Sequence, residues 1–310
     1  MRAILEGAST LFMAACEGDI HAVQLFIYRG ADVNATNASG MTPLTAAVMK
    51  NDIEICHLLL EANARVNQPR NDRATPLWLA ASQGNVEMCK MLISWDASLS
   101  AATLSGSQPL HIAAEKGHLA VCRVLLTKGA EPHSRMLNGI TALWIAAQQG
   151  DIDMCRLLLT FPGCDLSVAR DDGCTALFIA ACEGHYEVCK LLVKHGADVD
   201  LANHDGATPL WIAAQQGHNR IVDFLLRRRA VVDAAPIHGV SPLMIASFQG
   251  HLECIRMLLR AGANVNKRDA QGLTAIGWAT KVGHKQIVAE LQVQCYYYFQ
   301  MIDLFLFFMT

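Results

Sequence analysis

The sequence predicts an all-α repeat protein, a solenoid of stacked helix–turn–helix units, and three periodic observations carry that prediction. The first is a phrase typified by Thr208-Pro209-Leu210-Trp211-Ile212-Ala213-Ala214, whose leading slot is held in turn by Ser9, Thr42, Thr75, Gln108, Thr141, Thr175, Thr208, Ser241 and Thr274. Seven of the eight intervals between these anchors are 33 residues, and one, Thr141 to Thr175, is 34. A fixed period in this range marks stacked copies of one supersecondary unit. The second is the alanine five residues past every anchor, from Ala14 and Ala47 through to Ala279. The third is the bulky residue seventeen past each anchor, Phe26 in the first unit and leucine from Leu59 to Leu291 in the rest. The first helix of each unit is therefore thin where helices meet, and the second is bulky.

Within one unit the elements follow in order. Thr208 is an N-cap and Pro209 the first helical residue, where a missing N–H costs nothing. Gly217 ends that helix, because the left-handed position after a helix favours glycine. A second helix runs from about His218 to Arg228, burying Ile221, Val222, Leu225 and Leu226. Residues Asn203 to Gly206 are polar and glycine-terminated, which suits the turn between units.

These residues resemble the ankyrin repeat. The stretches Gly206 to His218 and Leu258 to Asn266 carry its turn, T-P-L-H-x-A-A phrase, leucine-rich second helix and G-A-x-x-N close. The resemblance covers about residues 7–292. It implies paired antiparallel helices with projecting β-hairpin fingers, and a concave face made of fingers and first helices. The chain also departs from the pattern. The histidine of T-P-L-H survives only at His111, and the slot elsewhere holds Phe12, Thr45, Trp78, Trp144, Phe178, Trp211, Met244 and Gly277, where an aromatic packs between units. Glycine after the second helix is replaced by Asn63, Asp96 and Arg229. Asn and Asp tolerate the left-handed conformation, whereas Arg229 should cost up to roughly 1 kcal/mol. The extra residue falls within Thr160-Phe161-Pro162-Gly163-Cys164, a turn between units.

Composition narrows the function. The 25 basic and 28 acidic side chains leave a net charge of −3, with no basic excess to suggest nucleic acid. The one basic run, Arg227-Arg228-Arg229, closes a second helix, where cations meet the negative end of its dipole. Cys56, Cys89, Cys122, Cys155 and Cys189 share one slot. Helices in adjacent units stack about 8–10 Å apart, beyond the roughly 7 Å that a disulfide spans between Cα atoms. They read as buried thiols in a reducing, cytoplasmic or nuclear compartment. His118, His185, His218, His251 and His284 also share a slot, as framework rather than metal ligands. Neither cofactor nor metal is expected. The motifs of nucleotide binding, zinc proteolysis and serine hydrolysis are absent.

The array is expected to span residues 1–292, followed by a hydrophobic aromatic tail at 293–310. Met1 to Gly7 is too short and polar for a signal peptide, and the tail is too short for a membrane span. The tail has three readings: a translated gene-model artefact, a cap on the last unit, or an interfacial anchor. The expected function is a non-catalytic, monomeric scaffold or adaptor that binds a protein partner through its concave groove. The alternative makes the chain the recognition part of a larger protein, such as a ubiquitin-ligase substrate receptor, kinase or channel. The groove positions implied by the resemblance are Asn138, Gln148, Gln149, Asp171, Asp172, Glu183, His204, Asp205, Gln215 and Gln216, with an apolar patch at Ile237, Val240 and Phe248. Among them Phe248 is expected to lie open to a partner, without a framework role.

Overall fold

The computed structural model describes residues 2–296, and every described element is helical. The chain divides into two compact units, Met1–Ala146 with Asp153–Cys164, and Ala147–Ile152 with Asp165–Thr310. The first contains α1 (Arg2–Glu17), α2 (Ile20–Tyr28), α3 (Pro43–Lys50), α4 (Ile53–Glu61), α5 (Pro76–Ser82), α6 (Val86–Ser94), α7 (Pro109–Glu115) and α8 (Leu119–Thr127). Residues of α9 (Ala142–Gln149) and α10 (Ile152–Leu159) fall in both. The second contains α11 (Ala176–Glu183), α12 (Tyr186–Lys194), α13 (Pro209–Gln216), α14 (Asn219–Arg227), α15 (Pro242–Gln249), α16 (Leu252–Arg260) and α17 (Ala275–Val282), and a last helix spans 285–296.

Each unit stacks like with like. First helices pack in sequence order, α1 on α3 and α5 on α7 in one unit, α11 on α13 on α15 on α17 in the other. Second helices do the same, as α12 on α14 on α16. The alanine column makes this close approach possible. Ala47, Ala80, Ala113, Ala146, Ala180, Ala213, Ala246 and Ala279 have no exposed surface. From Leu59 to Leu291 the leucine column is equally closed, whereas Phe26 is half-buried at the first repeat. The caps follow the sequence: Thr208 Oγ1 accepts the N–H of Trp211 at 3.3 Å, and Gly217 adopts φ +76°. At the chain start the helix runs from Arg2 straight through Ser9, which is not a cap. Helix formers precede it without a proline or turn glycine next to it.

The fingers are tight hairpin turns. A ladder bond closes most of them, such as Asn37 N–H to Met41 O at 3.0 Å and Asn203 N–H to Ala207 O at 2.9 Å, whereas Pro236 has no N–H to donate and its finger is closed by Gly239 N–H to Pro236 O at 2.8 Å. Among the described residues one antiparallel bridge forms, between Ala169 and Thr175. All eleven cysteines are unbridged, and the column at Cys56, Cys89, Cys122, Cys155 and Cys189 is buried. Burial pushes the thiols of Cys56, Cys89 and Cys189 up to about 12, so they are small hydrophobes rather than nucleophiles.

The last described helix extends to residue 296, past the sequence-derived array end at 292. The rest of the aromatic tail, 297–310, lies outside the described residues. No helix among the described residues is long and apolar enough to cross a membrane.

Candidate protein-binding surface

The polar residues that recur at the repeat period have structural partners. His185, His218, His251 and His284 place Nε2 at 2.9–3.1 Å from a carbonyl at the end of the preceding first helix: Gln148, Cys182, Gln215 and Phe248 respectively. Because a carbonyl only accepts, Nε2 carries the proton. Each ring lies over the glycine that ends that helix. A Cβ on Gly217 would stand 2.6 Å from His251 Nδ1, so the glycine answers both to its left-handed backbone and to the ring above it. In the second repeat Asn51 replaces the glycine, and there the next repeat offers Asn85, whose amide donates to the Asn51 side chain. The first-helix slot after Pro also reaches across: Trp78 Nε1 donates to Ser107 Oγ at 3.3 Å, Trp211 Nε1 to Val240 O at 2.8 Å, and His111 to Ser134 O at 2.9 Å.

What remains is the set at the fingertips and first-helix ends. Asn138 belongs to the first unit and is exposed on its finger. The other candidates belong to the second unit, where two rows collect them. In the fingertip row, Asp172 O accepts the His204 N–H and Asp205 O accepts the Ile237 N–H, both at 2.9 Å. These links tie Asp171, Asp172, His204, Asp205 and Ile237 into one line. Ile237 is 72 % exposed, while Val240 is half-buried beneath it in the chain. In the helix-end row stand Gln148, Gln149, Glu183, Gln215, Gln216 and Phe248. Most are exposed, with Gln215 and Phe248 half-buried.

Two candidates carry more structure than the sequence suggested. Asp172 is ion-paired with Arg170 and accepts the Cys174 N–H at 3.0 Å. The guanidinium holds its carboxyl well below the usual carboxylate range, so it is an ionised turn brace rather than a proton donor. Arg70 and Asp72 make the same pair three repeats earlier. Phe248 does have a framework contact: its ring meets Trp278 edge-to-face at 5.2 Å and 87°. Trp278 in turn donates Nε1 to Asp269 at 2.9 Å and lies 5.5 Å below the Lys281 ammonium. The sequence signal for this was the shift of tryptophan by one place, Gly277-Trp278 against Leu210-Trp211. Leu104 and Leu137, 60 % and 75 % exposed, were also missed. They occupy the fingertip slot of Asp171, His204 and Ile237, and could have been found by reading that column upstream.

Among the described residues, no three His, Cys, Asp or Glu side chains are placed to hold a metal ion. A comparison with curated proteins finds no match. The family model described as "Ankyrin repeats (3 copies)" matches in overlapping windows, 11–103, 67–136, 110–203, 143–236, 195–269 and 229–297. With the stacked helix pairs, finger turns and linking histidines, these matches settle the family. The chain belongs to the ankyrin-repeat family.

Proposed function

We propose that this protein is a non-catalytic scaffold or adaptor that binds a partner protein through the face made of its fingertips and first-helix ends. Ankyrin repeats are generally protein–protein interaction modules. The observation that carries the reading is the split among polar side chains in the second unit: the histidines that follow the first-helix glycines are tied to neighbouring repeats, and those of the fingertips and first-helix ends are largely turned to solvent. Ile237, 72 % exposed on a finger that the main chain holds in place, is the apolar anchor of this surface, and Phe248 and Trp278 are half-buried on first helices of the same unit. Aromatic and large apolar groups on a rigid support contribute most of the binding energy in such contacts. The unbridged cysteines support a reducing compartment, the cytosol or nucleus.

The test is affinity capture with wild type, Ile237→Ser, Gln216→Ala and Phe248→Ala, followed by titration of the captured partner. Ile237→Ser should weaken binding by about 1–2 kcal/mol with no change in melting temperature. Phe248→Ala should lower both affinity and stability, since it also strips Trp278 of its edge contact. A partner held equally by all four proteins would place the interface elsewhere and overturn the reading.

A further inference from the structure

The second helices of the second unit end in cations that the repeat does not require. Lys194, Arg227 and Arg260 are the last residues of α12, α14 and α16 and share one slot. In the first unit that slot holds Tyr28, Glu61, Ser94, Thr127 and Thr160. Arg228 and Arg229 follow Arg227, and all five cations are exposed. The helix dipole accounts for one cation at a helix end. It does not account for Arg229, which stands at φ +64° in the slot where other repeats carry Gly30, Gly129, Gly196 and Gly262. A charged side chain kept at a strained backbone position points to a use for the charge.

The carboxylates around this ladder are held by backbone N–H groups or by other cations, except Asp223, which neutralises the ladder's own Arg227. Asp200 and Asp233 accept the N–H groups of Val231 and Asn264 at 2.8 and 3.1 Å, and Asp198 accepts that of Asp200 at 2.9 Å. Asp223 pairs with Arg227 at 2.9 Å, and Glu253 with Arg256 at 2.7 Å. Lys194, Arg228, Arg229 and Arg260 form no ion pair among the described residues. Arg228 is also held in place, its guanidinium 5.3 Å from the Phe224 ring centroid, and Phe224 meets Tyr186 edge-to-face at 5.8 Å. A guanidinium over an aromatic face still has N–H donors available for a carboxylate.

The geometry points to this ladder as a second docking surface, for an extended acidic protein segment. It stands independently of the fingertip reading. Stacked helices set successive cations about 8–10 Å apart. A polyproline-II segment rises roughly 3.1 Å per residue with three residues per turn, so a carboxylate at every third position meets one cation per repeat. Discrete cations at one per repeat, without a wider basic field in a chain of net charge −3, match the spaced carboxylates of a short acidic peptide rather than the continuous charge of nucleic acid or a bilayer.

The experiment titrates the full chain at low salt with four probes: a labelled peptide of Asp-Pro-Pro triplets, its Asn-Pro-Pro counterpart, a single-stranded oligonucleotide, and phosphatidylserine–phosphatidylcholine vesicles. Only the Asp peptide should bind, and added salt should weaken it. Arg228→Ser, Arg229→Gly and Arg260→Ser combined should reduce affinity about tenfold or more. Arg229→Gly alone should weaken binding while raising the melting temperature, an outcome that loss of fold cannot produce. Ile237→Ser should leave the peptide bound as before. Equal binding of the Asn peptide, undiminished binding by the triple variant, preference for oligonucleotide or vesicles, or no binding at all would each overturn the assignment.

Discussion

Arg229 departs from the pattern of its own chain and shows how one residue can set local stability against use. Its slot takes a left-handed backbone in every repeat where it is named above, at φ +66° for Asn63 and +62° for Asp96. Those two side chains tolerate the conformation, whereas a long unbranched one costs roughly 1 kcal/mol there. Arg229→Gly should therefore stabilise the protein by a few tenths to about 1 kcal/mol, the gain being trimmed by glycine's greater freedom in the unfolded chain. Urea melts measure it directly, and a lower midpoint would mean that the arginine makes contacts that outweigh its strain.

At the scale of the element, what joins one helix pair to the next is a set of specific groups and not apolar area alone. Gly18 and Gly217 end corresponding first helices with φ of +81° and +76°. A Cβ at Gly18 would have Asp52 Oδ2 3.8 Å away, whereas one at Gly217 would run into the His251 ring at 2.6 Å. Both alanine substitutions meet the backbone cost of about 1 kcal/mol, but only Gly217→Ala adds the roughly 1–3 kcal/mol of overpacking. Equal losses in paired melts would show that the ring simply moves aside. His111 is a different device. It is fully buried, its Nδ1 accepting the Gln108 N–H at 3.1 Å and its Nε2 donating to Ser134 O at 2.9 Å. Burial lowers its pKa from the ordinary 6.5, because the charged form is costly there. The folded imidazole thus binds a proton less readily than the unfolded one. Its contribution is whole above the ordinary value and is lost as pH falls through it toward the folded value. His111→Gln should cost about 1–3 kcal/mol at neutral pH and flatten the stability profile as pH falls below the ordinary imidazole value. A wild-type profile that is already flat there would rule the mechanism out.

For the whole molecule, a repeat array gains stability from each unit and from nearest-neighbour interfaces, so the effect of a change fades within a repeat or two. The final described helix illustrates this. Ile287 and Leu291 are buried against the stack, and Glu290 reaches back to Arg256 at 3.4 Å, whereas Val293 is 52 % and Tyr296 62 % exposed. Core burial has thus ended before the helix does. Truncation after Tyr296 should shift the melting temperature by no more than about 2 °C, whereas truncation after Gly283, which removes the buried Ile287 and Leu291, should lower it by several degrees. A large drop for the first truncation would mean that residues 297–310 cap the array.

The repeat register, both helices of each unit, the caps and the buried alanine, leucine and cysteine columns were legible in the sequence. Each depends on interactions that are local or that recur at one fixed distance along the chain. A period reveals whatever every repeat must do. The exposed fingertip slots were legible in part, at Asp171, His204 and Ile237, because an exposed slot is where the period lapses. What needed the tertiary structure is the pairing of side chains that meet only once. Phe248 is held by Trp278, Asp172 is fixed by Arg170, and Asn51 stands where a histidine ring is missing from the following repeat. Such pairings follow from distances of a few ångströms between neighbouring repeats, which no column of the sequence records. They decide which candidate residues remain for a partner and which belong to the framework.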